Sequence, residues 1–454
     1  MNTGFKNLPY IIPNSIMDIV SSDYKVAIIG GGVLGTSVAY FLSAHTRNTG
    51  SVVLIEQEQN IAQHTSSRNT GKVHAPFLYD PVKKKTFAKA ASLGYEMWKR
   101  YSEYKKLPFK RDGVLEVALN DEGIDRLHKY MEWGERNGLD KSELQLLDKN
   151  EVARMEPNVR CTSAIYCSKD ASVNYGTLAL ALLHDLHSFG CKLLLGHKAE
   201  RIANSHGVYS VTTSQGTKIS SEYLVNVAGG NSMDIAHMMG IGESYTDLHF
   251  RGEYWLAPSQ YHDLTKLSIY SVPKHPEYPF LDPHWIVRAN GQREVGPNAV
   301  PVFGPYAYTW RKNLADMLPK IIESSSTGVR KIFFDKQFLS LASSELKSSL
   351  SKTAMINRVR EFLPQLRPSA FTKRGTAGIR SSVIDKAGRF VPDTLVLERD
   401  SSLHVLNYNS PGATGALPMA ASIASKVIEA AMLPTESKPR SLWDATTIAE
   451  KMKV

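Results

Sequence analysis

Gly30, Gly32 and Gly35 fall in the spacing G-x-G-x-x-G, inside the stretch "VAIIGGGVLGTSVAYFLSAH". Such a turn can hold a pyrophosphate when three features follow one another: a buried strand, a turn whose backbone can be approached closely, and a helix N-terminus aimed at the charge. Val26 to Ile29 read as a buried parallel strand. Gly30 and Gly32 lack the Cβ that would block a phosphate, Gly35 lets the following helix lie close to the strand, and Val33 and Leu34 complete the turn into that helix. A second apolar run, "SVVLIE", ends at Glu56. A carboxylate at that strand end accepts hydrogen bonds from ribose hydroxyls and favours a cofactor without a 2′-phosphate. The pattern predicts a dinucleotide site; the alternative is a bare turn between strand and helix.

The elements that would position this site recur along the chain. Downstream of Glu56 comes "QHTSSRNTGKVHAPFLYDP", a polar loop in which Thr65, Ser66, Ser67, Arg68, Asn69 and Thr70 offer hydroxyl and backbone donors to a cofactor. "NYGTLALALLHDLHSFGCKLLLG" reads as a helix and a strand. "GVYSVTTSQGTKISSEYLVNVAGG" reads as a hairpin whose returning strand, Tyr223 to Val227, ends at Ala228, Gly229 and Gly230 and can rejoin the first sheet. Late in the chain, "HVLNYNSPGATGALPMAASIASKVIEAA" repeats strand, Gly-containing turn and helix N-terminus, with Pro411, Gly412, Ala413, Thr414 and Gly415 in the turn. A nicotinamide dehydrogenase has no need of this second turn. A flavoprotein does, because charge develops on the pyrimidine end of the reduced flavin and a helix N-terminus stabilises it.

These readings give an α/β chain with a discontinuous Rossmann-type FAD-binding domain (23–80, 150–247 and 372–433). An α+β substrate domain with a mixed or antiparallel sheet takes 81–149 and 248–371, where "HWIVRANGQREVGP" carries an Asn290-Gly291 hairpin signal. Residues 1–22 read as an N-terminal extension without a convincing secretory or mitochondrial signal, and 434–454 as a C-terminal tail. A length of 454 residues fits two joined domains, and 42% hydrophobic content is globular. No run of eighteen apolar residues is present, so no membrane span is expected. Cys161, Cys167 and Cys191 are odd in number and lack C-x-x-C spacing, which argues against a disulfide framework or a zinc site and fits a cytoplasmic protein without a metal. The net charge of +10 is uneven: ten Lys and Arg between Lys83 and Arg111 oppose only Glu96 and Glu103, a local net of +8. Phe87, Ala91, Trp98 and Tyr101 recur there near helical period, predicting an amphipathic helix. Its basic face is simply solvated, or a contact for an anionic membrane or an acidic partner; nucleic acid is disfavoured because the aromatics sit on the core stripe.

Eight blocks in order, "AIIGGGVLGTSVAYFLS", "SRNTGKVHAPFLYDP", "YLVNVAGGNS", "FRGEYW", "PFLDPHW", "VGPNAVPVFG", "GTAGIRSSVID" and "LNYNSPGATGALP", resemble the FAD-dependent amino-acid and hydroxy-acid oxidoreductases. Within that superfamily the resemblance is strongest to L-2-hydroxyglutarate dehydrogenases and oxidases. Two departures are visible: Lys72 follows Gly71 where the family commonly has Val or Ile, with Pro76-Phe77 in the next turn, and Asp282-Pro283 precede His284 where the family commonly has Gly-Val. Both fall on stretches that the resemblance places near the substrate.

The resemblance implies that a 2-hydroxy acid, foremost L-2-hydroxyglutarate, loses its Cα hydrogen as hydride to FAD while a base takes the hydroxyl proton. Histidine suits the base, and two of the fourteen histidines, His74 and His284, stand in matched blocks. Arg251, Arg288 and Arg380 are the candidates for the substrate carboxylate, each with a structural salt bridge as its alternative; "GTAGIR" brings Gly378 and Arg380 towards the flavin. Tyr79 could add a hydrogen bond or simply pack. With one dinucleotide fingerprint and no Cys pair, hydride is not expected to come from NADPH, and oxygen, a membrane quinone and a carrier flavoprotein are open as acceptors; the resemblance favours quinone or oxygen, the former with peripheral contact to an anionic membrane. Malate:quinone oxidoreductase, a glycine or sarcosine oxidase type, and an FAD-containing binding or assembly protein are the alternatives.

Overall fold

A computed structural model describes residues 23–47, 50–275, 278, 282–325, 329–332 and 334–453. The N-terminal extension 1–22 and the Pro279, Phe280 and Leu281 of one matched block lie outside the described residues.

The first glycine turn joins a strand β1 (Asp23–Ile29) to a helix α1 (Val33–His45). Val26, Ala27 and Ile28 have no exposed surface, because β1 is flanked on both edges and covered on both faces. Its neighbours are β2 (Val52–Glu56) and the strand Lys218–Asn226, both parallel to it. Lys192–Leu195 extends the sheet beyond β2, and Ser402–Asn407 extends it beyond Lys218–Asn226, again in parallel. Five parallel strands from distant parts of the chain thus form one sheet, with Leu395–Arg399 antiparallel at its edge. The hairpin over Val208–Thr213 and Lys218–Asn226 returns to β1, as its sequence predicts.

Helix α1 is buried along its whole length between the sheet, Tyr175–Ser188 and Ala416–Ala430. Helix α2 (Lys85–Lys105), the basic segment, buries Phe87, Ala91, Trp98 and Tyr101 as the periodicity predicts. It packs on Ala416–Ala430 and joins the same core as α1. The boundary expected at residue 81 therefore does not follow the packing, since Trp98 and Tyr101 belong to the core that packs against the five parallel strands. The segment 434–454 likewise folds back: Ala445–Met452 is a helix against Ala416–Ala430, and the Ala445 N–H donates to His45 Nε2 at 2.9 Å.

A second eight-stranded sheet runs in the order Lys373–Arg374, Trp255–Leu256, Arg293–Gly296, His284–Val287, Ser268–Ser271, Val114–Ala118, Ser163–Cys167, Leu144–Asp148. All its pairings are antiparallel except Ser268–Ser271 with Val114–Ala118. Ser163–Cys167 lies here, although the sequence divides the chain at 150; its register with Val114–Ala118 seats Ala164 in the core of this sheet. The Asn290-Gly291 hairpin forms as expected, with Gly291 at φ +84°. Helix α3 (Asp121–Arg136) covers the Val114–Ala118 end. A three-stranded sheet of Val300–Val302, Tyr245–Gly252 and Gly378–Asp385 contributes residues to a long cavity that also runs along the ends of both large sheets. Among the described residues no helix is long and apolar enough to cross a membrane.

Candidate active site

The cavity has a volume of about 1090 Å³. It begins at the first glycine turn. Gly30 has φ +112°, and a Cβ there would meet the Val227 carbonyl oxygen at 2.5 Å; at Gly35 it would meet the Gly30 carbonyl oxygen at 1.9 Å. Only glycine closes this turn onto the neighbouring strand. The Glu56 carboxylate accepts from the Gly31 N–H at 2.6 Å and the Glu58 N–H at 2.8 Å, and it lines the cavity. Helix α1 has no acidic residue in its first turn, and the Ser66 hydroxyl accepts from the Val33 N–H at 2.9 Å, tying the polar loop to the helix N-terminus.

The late turn forms a second cradle. Ala416–Ala430 also starts without a side-chain cap or an acidic residue, and Pro411 to Thr414 line the cavity. Helix α2 clamps this turn from behind: Trp98 Nε1–H donates to the carbonyls of Ala413 and Thr414 at 2.9 and 3.0 Å, and Gly94 approaches so closely that a Cβ would lie 2.0 Å from the Thr414 carbonyl oxygen.

Of the predicted cofactor residues, Gly30, Gly32, Val33, Leu34, Glu56, Thr65, Ser66, Arg68, Asn69, Thr70, Ala228, Gly229, Gly378 and Pro411 to Thr414 line the cavity. Gly35, Ser67 and Gly415 do not. Gly35 serves close packing, the Ser67 hydroxyl turns back to the His64 carbonyl at 3.4 Å, and Gly415 sits against Ala90, whose Cβ a side chain would meet at 2.6 Å.

His74, His284, Tyr79 and Arg380 also line this cavity. The His74 N–H donates to Thr414 Oγ1 at 3.1 Å, so the late turn holds this backbone directly. His74 Nδ1 lies 3.5 Å from Asp170 Oδ2. Asp170 belongs to a fully buried group with Lys72, whose ammonium donates to Ser172 Oγ at 2.7 Å and lies 3.3 Å from Asp112 and 3.9 Å from Asp170. The His284 ring stacks obliquely on Tyr270 at 4.2 Å, and burial drives its imidazolium down to about 3, leaving it neutral. Asp282, one of the departures, is an anchor: it pairs with Arg358 at 2.6 Å and accepts from the Lys274 N–H at 3.0 Å. The Tyr79 hydroxyl hydrogen-bonds Ser410.

The other two arginines are placed elsewhere. Arg251 is buried against Glu253 at 3.1 Å, donates to the Ala307 carbonyl at 3.1 Å and lies over the Trp310 ring. Arg288 pairs with Glu294 and donates to the Asn69 carbonyl, so it braces the cofactor-side loop against the second sheet. For both, the salt bridge is what the geometry displays, and neither lines the cavity.

Glu116, Tyr270 and Lys84 are among the cavity residues that the sequence does not single out. Glu116 lies in "GVLEVA" on Val114–Ala118, almost fully buried, with its carboxyl lifted to about 8 by burial and by the charges of Asp282 and Asp170. A lone ionisable residue in an apolar strand was the available signal. Tyr270 carried none, being one aromatic in an apolar run. Lys84 was hidden in the basic segment: it is half-buried and, with Lys83, lines the cavity.

The residues fit FAD: two glycine cradles that a Cβ would fill, two helix starts free of acidic residues, and a carboxylate at the end of β2 line one cavity. A model of the family described as FAD dependent oxidoreductase matches residues 25–426. The protein L-2-hydroxyglutarate dehydrogenase, mitochondrial, of Caenorhabditis elegans is 30% identical over 417 residues, covering 89% of this chain and 93% of its own. The L-2-hydroxyglutarate dehydrogenase of Indibacter alkaliphilus is 30% identical over 402 residues, covering 88% and 98%. The solved structure of dithionite-reduced L-alpha-glycerophosphate oxidase from Mycoplasma pneumoniae, with FAD bound, superposes with a TM-score of 0.71 at 21% identity, covering 93% of this chain and 98% of that one. The chain belongs to the family of FAD-dependent oxidoreductases.

Proposed function

We propose that this enzyme oxidises an L-2-hydroxy acid, foremost L-2-hydroxyglutarate, to the corresponding 2-oxo acid. The observation that carries this reading is the shared lining: two imidazoles and the Arg380 guanidinium in the cavity that begins at the glycine turns. The relatives named for that substrate support it. When bound, FAD supplies the two-electron acceptor for the substrate's Cα hydrogen. The protein's own residues then have three tasks. Arg380 offers a planar fork for the carboxylate next to the reacting carbon. His74 takes the hydroxyl proton, because Asp170 stands 3.5 Å from Nδ1 and steadies the imidazolium that forms. His284, held neutral, donates or accepts a hydrogen bond without carrying charge.

Glu56, Ser66, the amides at the start of α1 and the Pro411–Thr414 turn would hold the FAD. Quinone or oxygen completes the cycle as electron acceptor. A peripheral contact with anionic lipid belongs to the quinone branch of this proposal, and it rests on Lys85 and Lys89, which are exposed on α2. Flotation with anionic vesicles checks it: the parent should float and a variant neutralised at both lysines should not, whereas equal flotation removes the contact. The substrate reading is tested by an anaerobic panel of hydroxy and amino acids on flavin-loaded protein. L-2-Hydroxyglutarate should bleach the oxidised flavin band fastest; fastest bleaching by malate, glycine or sarcosine would replace the substrate assignment.

A further inference from the structure

The Lys72 side chain has no exposed surface, and three chain segments meet around its ammonium. The short antiparallel ladder of Lys72–Val73 with Ala171–Ser172 pairs Lys72 with Ser172, so the next residues along, His74 and Asp170, stand opposite one another. Asp112 joins from the chain ahead of Val114–Ala118, where the Lys110 N–H donates to the Ser172 carbonyl and the Gly113 N–H to that of Asp170, both at 3.0 Å. The Lys72 ammonium donates to Ser172 Oγ at 2.7 Å and stands 3.3 Å from Asp112 Oδ1 and 3.9 Å from Asp170 Oδ1. The Ser172 hydroxyl in turn donates to Asp112 Oδ2 at 2.7 Å. Asp170 carries this group to the site: its other oxygen, Oδ2, lies 3.5 Å from His74 Nδ1 and accepts from the Ala75 N–H at 3.4 Å.

Two carboxylates and one ammonium leave this group with one negative charge in excess, which an imidazolium at His74 cancels. Burial removes the screening of bulk water, so each of these charges is strongly felt by the others. Burial lifts the Asp112 carboxyl, and the Lys72 ammonium opposes that lift. The other titratable groups around Asp170 and His74 are neutral at neutral pH. Burial pushes up the hydroxyls of Tyr79, Tyr95, Tyr175 and Tyr270 and the thiol of Cys167. Glu116 is lifted to about 8, and His284 is driven down to about 3. Of the arginines on this side, Arg288 pairs with Glu294 and Arg111 hydrogen-bonds Tyr95. The cations that line the cavity elsewhere, Arg68, Lys83, Lys84, Arg126, Lys129 and Arg380, are the same whether or not Lys72 and Asp112 are present.

We propose that Lys72 is a positioning residue for proton transfer: its ammonium, shared between Asp112 and Asp170, limits how firmly Asp170 holds a proton on His74, so that His74 is free to take one from the substrate hydroxyl. Without that ammonium, two buried carboxylates favour the imidazolium, and a base that already carries its proton cannot act. Asp112 works in the opposite sense, adding negative charge and sharing Lys72 with Asp170. The proton passes from the substrate hydroxyl to His74 and, after the 2-oxo acid leaves, from His74 to solvent. This deepens the proposed function and rests on it for the role of His74 as base, whereas the titration of the His74 ring does not depend on turnover.

The test titrates the His74 ring by NMR of isotope-labelled histidine in flavin-loaded protein, its signal assigned by loss in His74→Gln. Single-turnover flavin reduction by L-2-hydroxyglutarate is followed over the same pH range. Lys72→Met should raise the midpoint of the His74 titration by about 1 pH unit or more, and Asp112→Asn should lower it by about 1. The double variant Lys72→Met/Asp112→Asn restores the parent's charge count and should bring the midpoint back to within about 0.5 of the parent. The acid limb of flavin reduction should move in the same directions. Damaged packing alone does not move a midpoint in opposite senses in two single variants and restore it in the double. An unaltered flavin spectrum and melting temperature establish that the variants are folded; should Lys72→Met fail there, Asp112→Asn, Lys72→Arg and the double variant carry the comparison, with Lys72→Arg expected to stay near the parent. A midpoint that stays at the parent's value throughout, or moves in the same sense in both single variants, overturns the proposal. If the midpoints move as expected but the acid limb does not follow, the reading of His74 as base fails while the control of its ring by Lys72 stands.

Discussion

His74 and His284 line one cavity with different surroundings, and this difference is the basis of the roles proposed for them. A general base must gain a proton and hold it briefly. His74 has the Asp170 carboxylate 3.5 Å from Nδ1, whereas His284 sits on Tyr270 with burial driving it down to about 3. His74→Gln is therefore expected to lower kcat by about 10²- to 10⁴-fold with little change in glutarate affinity. His284→Gln should cost less than about 10-fold in kcat, and the reverse order in single-turnover flavin reduction would exchange the two roles. Glu116 gives a prediction about stability. Its folded value of about 8 lies above the ordinary 4.5, so the folded chain keeps a proton that the unfolded chain releases. The stability it contributes is full below pH 4.5 and is lost as pH rises towards 8. Glu116→Gln cannot ionise, so it should stabilise the protein by roughly 2–4 kcal/mol at pH 8 and by almost nothing near pH 4.5. Melting curves at the two pH values check this, and an equal shift at both would contradict the burial of an ionisable carboxyl.

Among the elements, α2 has two jobs that its sequence shows only in part. The periodicity of Phe87, Ala91, Trp98 and Tyr101 is legible as a core stripe. What periodicity does not reveal is that the Trp98 indole also holds the carbonyls of the late turn, or that Gly94 is the point of contact. Nor does it reveal that Lys84 lines the cavity, since this N-cap residue lies outside the helical backbone that the periodicity describes. Trp98→Phe keeps the ring but leaves two carbonyls without their donor. It should cost about 1–3 kcal/mol and lower FAD occupancy, measured as the flavin-to-protein absorbance ratio. Gly94→Ala places a Cβ 2.0 Å from the Thr414 oxygen and should cost about 1–3 kcal/mol through overpacking. Full flavin occupancy and an unchanged melting temperature in both variants would show that α2 is not a clamp.

Across the whole molecule, the sequence is most informative where local physics is strict. The first glycine turn, Glu56 and the returning strand at Tyr223–Val227 are bound to a few residues by backbone sterics, and each can be found by inspection. The proposed substrate side draws on Val114–Ala118, His284–Val287 and Gly378–Asp385, segments far apart in the chain. No single stretch shows that assembly. Arg251 and Arg288 illustrate the limit: the first stands in a matched block and the second beside one, but Glu253 and Glu294 claim them once the sheets form. Arg380 differs because its strand, Gly378–Asp385, runs at the cavity itself, directly after Gly378, whose Cβ would meet the Arg68 carbonyl oxygen of the cofactor-side loop at 2.0 Å.

Anaerobic mixing of flavin-loaded protein with L-2-hydroxyglutarate joins these scales, because it needs the cradles, the imidazole and the guanidinium at once. The oxidised flavin band should disappear with saturating dependence on substrate, yielding one 2-oxoglutarate per flavin reduced. An oxidised band that persists with L-2-hydroxyglutarate, in protein whose flavin dithionite still reduces, would contradict the assignment of this cavity to 2-hydroxy-acid oxidation.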